Sequence, residues 1–195
     1  MTFEHILKDI RKQAFSERDK GYRFEKLMKA YLQTAPLYAN QIQDVWLWNE
    51  FPYRNDFSGK DTGIDIVVKT LLGDYWAVQC KCYDDTQINK DSVDSFLATS
   101  SKSFKDDELE RCEFTHRYWI STTNKWGLEA ELVIQNQNPP VSRISLTDLI
   151  NAPVDWEKLL KGHAGSESRL KVHKLKEHQK EALAKAQAYY KAHDR

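Results

Sequence analysis

The chain is poor in cysteine, carries no surplus of either charge and contains no long apolar run. Three cysteines, two of them in QCKC at residues 79–82, form no even disulfide framework. No stretch approaches the roughly 18 consecutive apolar residues of a membrane span. The opening MTFEHILKDIRK also lacks the apolar core of a signal peptide. These absences argue against a disulfide-stapled or membrane-embedded protein and predict a cytoplasmic one. Lys and Arg number 29 and so do Asp and Glu. Bulk charge therefore advertises no polyanionic partner, and any nucleic-acid site must be a local patch.

What is present suffices for one substantial core, since 41% of the 195 residues are hydrophobic and 12% aromatic. Phe3, Ile6, Leu7, Ile10 and Phe15 recur at helical spacing, as do Phe24, Leu27, Met28, Tyr31 and Leu32. Two helices are predicted, the second ending before Pro36 because proline disfavours helical geometry in its predecessor. DVWLW reads as a strand, and IDIVVKTL and YWAVQCKC read as the arms of a hairpin around LGD. A helix around NKDSVDSFLATSSKSF, a strand FTHRYWIST, a helix around GLEAELVIQN and a short strand VSRISL complete the order. From about Gly162 a polar linker leads into an alanine-rich, charged, helix-prone segment. This divides the chain into residues 1–161 and 162–195.

The hairpin carries the chemistry. Side chains alternate along a strand, so Gln79 and Lys81 share one face while Val78, Cys80 and Cys82 share the other. In the partner strand Asp65 is expected with Val67 and Lys69, opposite Ile64, Ile66 and Val68, which predicts one apolar sheet face and one charged face. A two-residue turn at Gly73 and Asp74 would pair Asp65 with Cys82. A three-residue loop, Leu72 to Asp74, would pair it with Lys81. One shared polar site therefore requires an odd loop or a bulge, with Gly73 supplying the left-handed residue. An acid, an amide oxygen and an ammonium meeting at one point suit phosphodiester hydrolysis around a hard cation, which takes oxygen ligands, a backbone carbonyl among them.

GIDIVV followed by YWAVQCKCYD, with GYRFEKLM on a preceding helix, resembles the Mrr-like branch of the PD-(D/E)xK nucleases over roughly residues 20 to 135. The resemblance implies an α/β, restriction-endonuclease-like core in αβββαβ order, with a mixed central β-sheet flanked by helices. It also implies Mg²⁺, with Mn²⁺ as the alternative. Asp65 then takes the place of the metal-binding acid, Gln79 that of the second acid, Lys81 that of the lysine, and Glu25 that of the helix-borne acid. The Cys80 carbonyl would complete the metal ligands. Ile64 stands where the family has proline, and Gln79 where glutamate is commoner. YWISTTNKWGLEAE resembles a later core strand and helix of the same nucleases, making Ser121, Thr122, Thr123, Asn124 and Lys125 candidate DNA contacts. Cys80, Cys82, Cys112 and His116 lack the close pairing of a zinc ribbon or finger.

The tail LKVHKLKEHQKEALAKAQAYY, through Leu175, His178, Gln179 and Ala182, resembles the entry segment of superfamily 2 helicases, without a phosphate loop. Nuclease plus entry segment resembles the start of a Type ISP restriction-modification enzyme. That resemblance implies helicase, methyltransferase and target-recognition parts of one polypeptide, which would use ATP and S-adenosylmethionine. The fragment is expected to be a monomer that binds DNA without sequence preference. The alternatives are a stand-alone methylation-dependent or repair nuclease and a non-catalytic DNA-binding or docking domain.

Overall fold

Two amphipathic helices lead the chain, α1 over Phe3–Gln13 and α2 over Glu17–Thr34. The side chains of Thr2 and Ser16 each accept a backbone N–H three residues on and cap them. Phe3, Ile6, Leu7 and Ile10 are buried as their spacing predicts, but Phe15 lies beyond the end of α1 and is 91% exposed. Pro36 stops α2 and opens a short α3, Pro36–Ala39. A computed structural model describes residues 1–57 and 63–170, together with positions 181, 182, 184–186 and 189.

The strands and helices follow in the expected sequence. They are β1 (Ile42–Leu47), β2 (Ile66–Thr70), β3 (Tyr75–Lys81), α4 (Lys90–Ser100), a small hairpin of β4 (Phe104–Lys105) and β5 (Arg111–Cys112), then β6 (Phe114–Ser121), α5 (Leu128–Ile134), β7 (Val141–Ile144), α6 (Leu146–Ile150) and α7 (Trp156–Leu160). The five-stranded sheet runs β1-β2-β3-β6-β7, with antiparallel pairing through β3 and parallel pairing beyond it. This is the mixed α/β sheet that the order predicted. The small hairpin and the helices α3, α6 and α7 are additions too short to leave a periodic signal.

Both faces of the sheet are covered, which corrects the expectation of one charged face. On one side Ile66, Val68, Val78 and Cys80 pack with residues of α1, α2, α6 and α7. On the other, Val67, Ala77 and Trp119 pack with α4, α5 and an aromatic group that includes Phe51, Phe104 and Phe114. A strand buried on both faces reads as a nearly continuous apolar run, as β3 does. Polar groups are left to its end.

The β2–β3 loop has three residues, Leu71 to Gly73, closed by Thr70 N donating to Asp74 O at 2.8 Å, with Gly73 at φ +89°. The loop is odd, as a shared site requires, but sits one residue earlier than expected. The register therefore runs Ile66 to Val78 and, if continued, would set Asp65 across from Gln79 instead of Lys81. A bulge accompanies it. Asp65 N also donates to Val78 O, at 2.9 Å, so two successive residues face one. Burial agrees, because Ile64 belongs to the α4 side and Ile66 to the α2 side, which simple alternation forbids.

Residues 163–170 return to the body of the fold. Gly165 N donates to Thr34 Oγ1 at 2.9 Å, Arg169 Nε to Thr34 O at 2.7 Å, and Leu170 N to Pro153 O at 2.9 Å. Leu175, His178 and Gln179 lie outside the described residues; Ala182 is an exposed helical position. Among the described residues no helix is long and apolar enough to cross a membrane.

Candidate active site

The site is assembled where β2 begins and β3 ends. Gly63 enters it at φ +65°, and a Cβ there would stand 3.2 Å from the backbone N and Cα of Phe96 in α4. Only glycine combines that backbone conformation with that close approach. Ile64 is then buried, and the bulge turns Asp65 out of strict alternation. Asp65 is pinned at its backbone, where its carbonyl accepts from Trp48 N at 2.8 Å. Its side chain is pinned as well, because Oδ2 accepts from Cys80 N at 2.7 Å and from the Gln79 amide. Gln79 is 2% exposed.

Lys81 closes β3 and is half-buried. Its carbonyl accepts from Thr122 N at 3.0 Å, which ties the end of β3 to the segment after β6. Glu25 reaches the same place from the middle of α2, which packs against β1 and β3. Burial pushes its carboxyl up to about 7, the negative charge of Asp65 adds to the rise, and Lys81 partly offsets it. The Cys80 thiol is likewise pushed well up, by burial first and then by Asp65 and Glu25. The structure therefore brings Asp65, Gln79, Cys80, Lys81 and Glu25 into one electrostatic neighbourhood.

Those residues fit a divalent cation through their chemistry. Burial first, and the charge of Asp65 second, hold the Glu25 carboxyl well above its ordinary range, a cost that a cation shared by the two acids would relieve, and neutral oxygens from Gln79 and the Cys80 carbonyl lie beside them. Among the described residues no three of His, Cys, Asp and Glu cluster for a metal. A cation would thus rest on two acids and neutral oxygens. The cysteines Cys80, Cys82 and Cys112 are free thiols.

Of the five candidate DNA contacts, three turn inward. Ser121 Oγ donates to Thr123 O at 2.9 Å, Thr122 Oγ1 donates to Tyr83 O at 2.7 Å, and Thr123 Oγ1 accepts from Lys125 N at 3.1 Å, all three residues being buried. Their hydroxyls close the turn after β6. Asn124 and Lys125 are exposed, the first bonded to Thr147 Oγ1 at 2.9 Å and the second paired with Asp85 at 2.6 Å. The sequence reading missed a neighbouring group of Arg11, Lys20 and Asp84, which meet only in the fold. The one signal available was the acid pair that directly follows QCKCY.

A family model described as restriction endonuclease matches residues 33–166, well over half of the chain. The matched span contains Asp65, Gln79 and Lys81 and begins after Glu25. Among solved structures, the ATP-dependent Type ISP restriction-modification enzyme LlaBIII bound to DNA is similar, with a TM-score of 0.63 and 28% identity. The match covers 97% of this chain and 11% of that one, so the chain spans only a small part of that enzyme's length. No curated protein matches the chain.

Proposed function

Since the chain belongs to the restriction endonuclease family, we propose that it is a metal-dependent nuclease domain that hydrolyses DNA phosphodiester bonds one strand at a time. The observation that carries this reading is the bulged Asp65, bonded to Gln79 and the Cys80 amide and close enough to Glu25 to raise that acid's pKa. In this reading Asp65 and Glu25 hold the cation, with the Cys80 carbonyl and the Gln79 amide oxygen beside them. Gln79 now presents its amide nitrogen to Asp65, so ligation requires a half-turn of the amide, which exchanges donor for acceptor. A bound divalent cation would supply a water of lowered pKa and neutralise the phosphate. Lys81 orients the attacking water and stabilises the charge that develops on the phosphate oxygens. One such centre attacks one bond at a time, hence nicking.

The likeness to a Type ISP enzyme supports placing this activity within a longer, ATP-dependent translocating restriction-modification protein. ATP and S-adenosylmethionine then serve its other parts. A non-catalytic DNA-binding role is the second reading, favoured by an amide at position 79 that is already spent on Asp65.

The test is nicking of supercoiled plasmid with Mg²⁺, by the parent chain and by Asp65→Ala and Lys81→Ala. Each substitution should lower the rate by about 100-fold or more, the scale of losing a group that stabilises transition-state charge. Thermal midpoints should stay near that of the parent. Parental rates in either variant would sink the assignment, and a parent chain that binds but never nicks would favour the second reading.

A further inference from the structure

Beside the proposed centre, α1, the start of α2 and the residues after β3 enclose a surface cavity of about 410 Å³. Its wall holds two cations and two acids, with a marked difference in burial between them. Lys20 is buried, its side chain 9% exposed, and Arg11 is 30% exposed; the side chains of Asp84 and Glu17 are 67% and 89% exposed. The cations are therefore held in the wall while the acids sit in water, where a solvated carboxylate is readily exchanged.

Asp84 bridges the two cations. Its Oδ1 lies 2.6 Å from Arg11 Nε and its Oδ2 lies 3.7 Å from Lys20 Nζ, which is paired more closely with Glu17, at 2.7 Å; one oxygen thus faces each cation, as the two non-bridging oxygens of a phosphodiester would. The fit is incomplete. Among the described residues no acceptor is aligned for a hydrogen bond with the buried Arg11 Nε–H, despite the short approach of Asp84. A buried donor left in that state favours an acceptor able to meet it from another angle.

We propose that this cavity is a phosphate subsite for the DNA strand, in which Arg11 and Lys20 hold a phosphodiester near the scissile one and Asp84 occupies that place until DNA arrives. The proposal rests on the reading that DNA is the substrate. Position supports it, because Lys20 precedes Glu25 by five residues of α2, about 7.5 Å of helix rise, and Asp84 follows Lys81 by three residues. With strand phosphates spaced about 3.4 Å along the duplex axis, the subsite lies about two nucleotides from the centre. The largely exposed Phe15 on the rim offers an apolar contact to the sugar of the same nucleotide. A net charge of zero is then compatible with DNA binding, since the cations are masked by exchangeable acids.

The test measures binding of a labelled duplex to the 195-residue chain by fluorescence anisotropy across a salt series, in EDTA so that no strand is cut. Asp84→Asn should tighten binding about tenfold, the scale of one charge-assisted contact. It should also steepen the salt dependence by about one, because a displaced carboxylate takes a cation back from solution. Arg11→Gln with Lys20→Gln should weaken binding and give a slope shallower by about one than that of Asp84→Asn, because a single phosphate contact is lost. If Asp84→Asn leaves affinity and slope unchanged, the proposal is overturned whether or not the double variant folds. Tighter binding by Asp84→Asn supports the subsite even if plasmid nicking fails in every variant, an outcome that would remove only the nuclease reading.

Discussion

Among the described residues, Glu25 is the acid whose protonation the fold most alters. Burial and then the Asp65 charge raise it from an ordinary 4.5 to about 7, so in the absence of metal the folded chain holds a proton that the unfolded chain has already released. Between those values the native state binds more protons than the unfolded state, and stability must fall as pH rises from about 4.5 to about 7. The gap would be worth ~3 kcal/mol if fully expressed, and partial exposure reduces it to about 2 kcal/mol. Urea unfolding in EDTA should show this decline in the parent chain, and Glu25→Gln should flatten it and leave the variant more stable at pH 8. An unchanged pH profile in Glu25→Gln would show that the carboxyl is not held in that environment. Gln79 eases the same crowding from the other side. Its neutral amide donates to Asp65 where a second carboxylate would repel it.

The β2–β3 hairpin shows how much of the site was legible beforehand. Alternation made Asp65, Gln79 and Lys81 stand out, and the parity argument required an odd loop or a bulge with a left-handed Gly73; the hairpin has all of these. It did not reveal which residues flank the loop, because Leu71, Leu72 and Asp74 are all compatible with a turn and the choice is made by pairing across the sheet. Nor did it reveal that the far face of β3 is buried, since a covered strand and a half-exposed one differ only in what packs on them. The inward turn of Ser121, Thr122 and Thr123 was hidden for a related reason: hydroxyls that close a turn and hydroxyls that bind phosphate look alike in sequence. The entry to the bulge yields a sharp test. Gly63→Ala places a Cβ against the α4 backbone at positive φ and should cost ~2 kcal/mol in urea unfolding. It should depress nicking further than that loss explains, because Asp65 lies two residues on. A variant with parental stability would show that the chain enters β2 by another route.

At the scale of the whole molecule, the division at Gly162 sets the chain's contacts against its composition. Residues 163–170 are polar, yet Ser168 is fully buried and Thr34 is bonded by both Gly165 and Arg169. The restriction endonuclease match likewise runs beyond Lys161, to residue 166. Truncation after Lys161 should therefore lower the thermal midpoint by about 6–16 °C, from three or four net hydrogen bonds at about 1 kcal/mol each. Truncation after Leu170 should leave it nearly unchanged, and equal midpoints for the two truncations would return the boundary to Gly162. The grip on Thr34 also has a mechanical side. It holds the last turn of α2, and Glu25 lies nine residues back along the same helix, about 13 Å away. A helix of that length is stiff, so α2 is a rod whose C-terminal end is clamped to residues 163–170. A pull on that segment would reach Glu25 as a tilt of the helix that carries it.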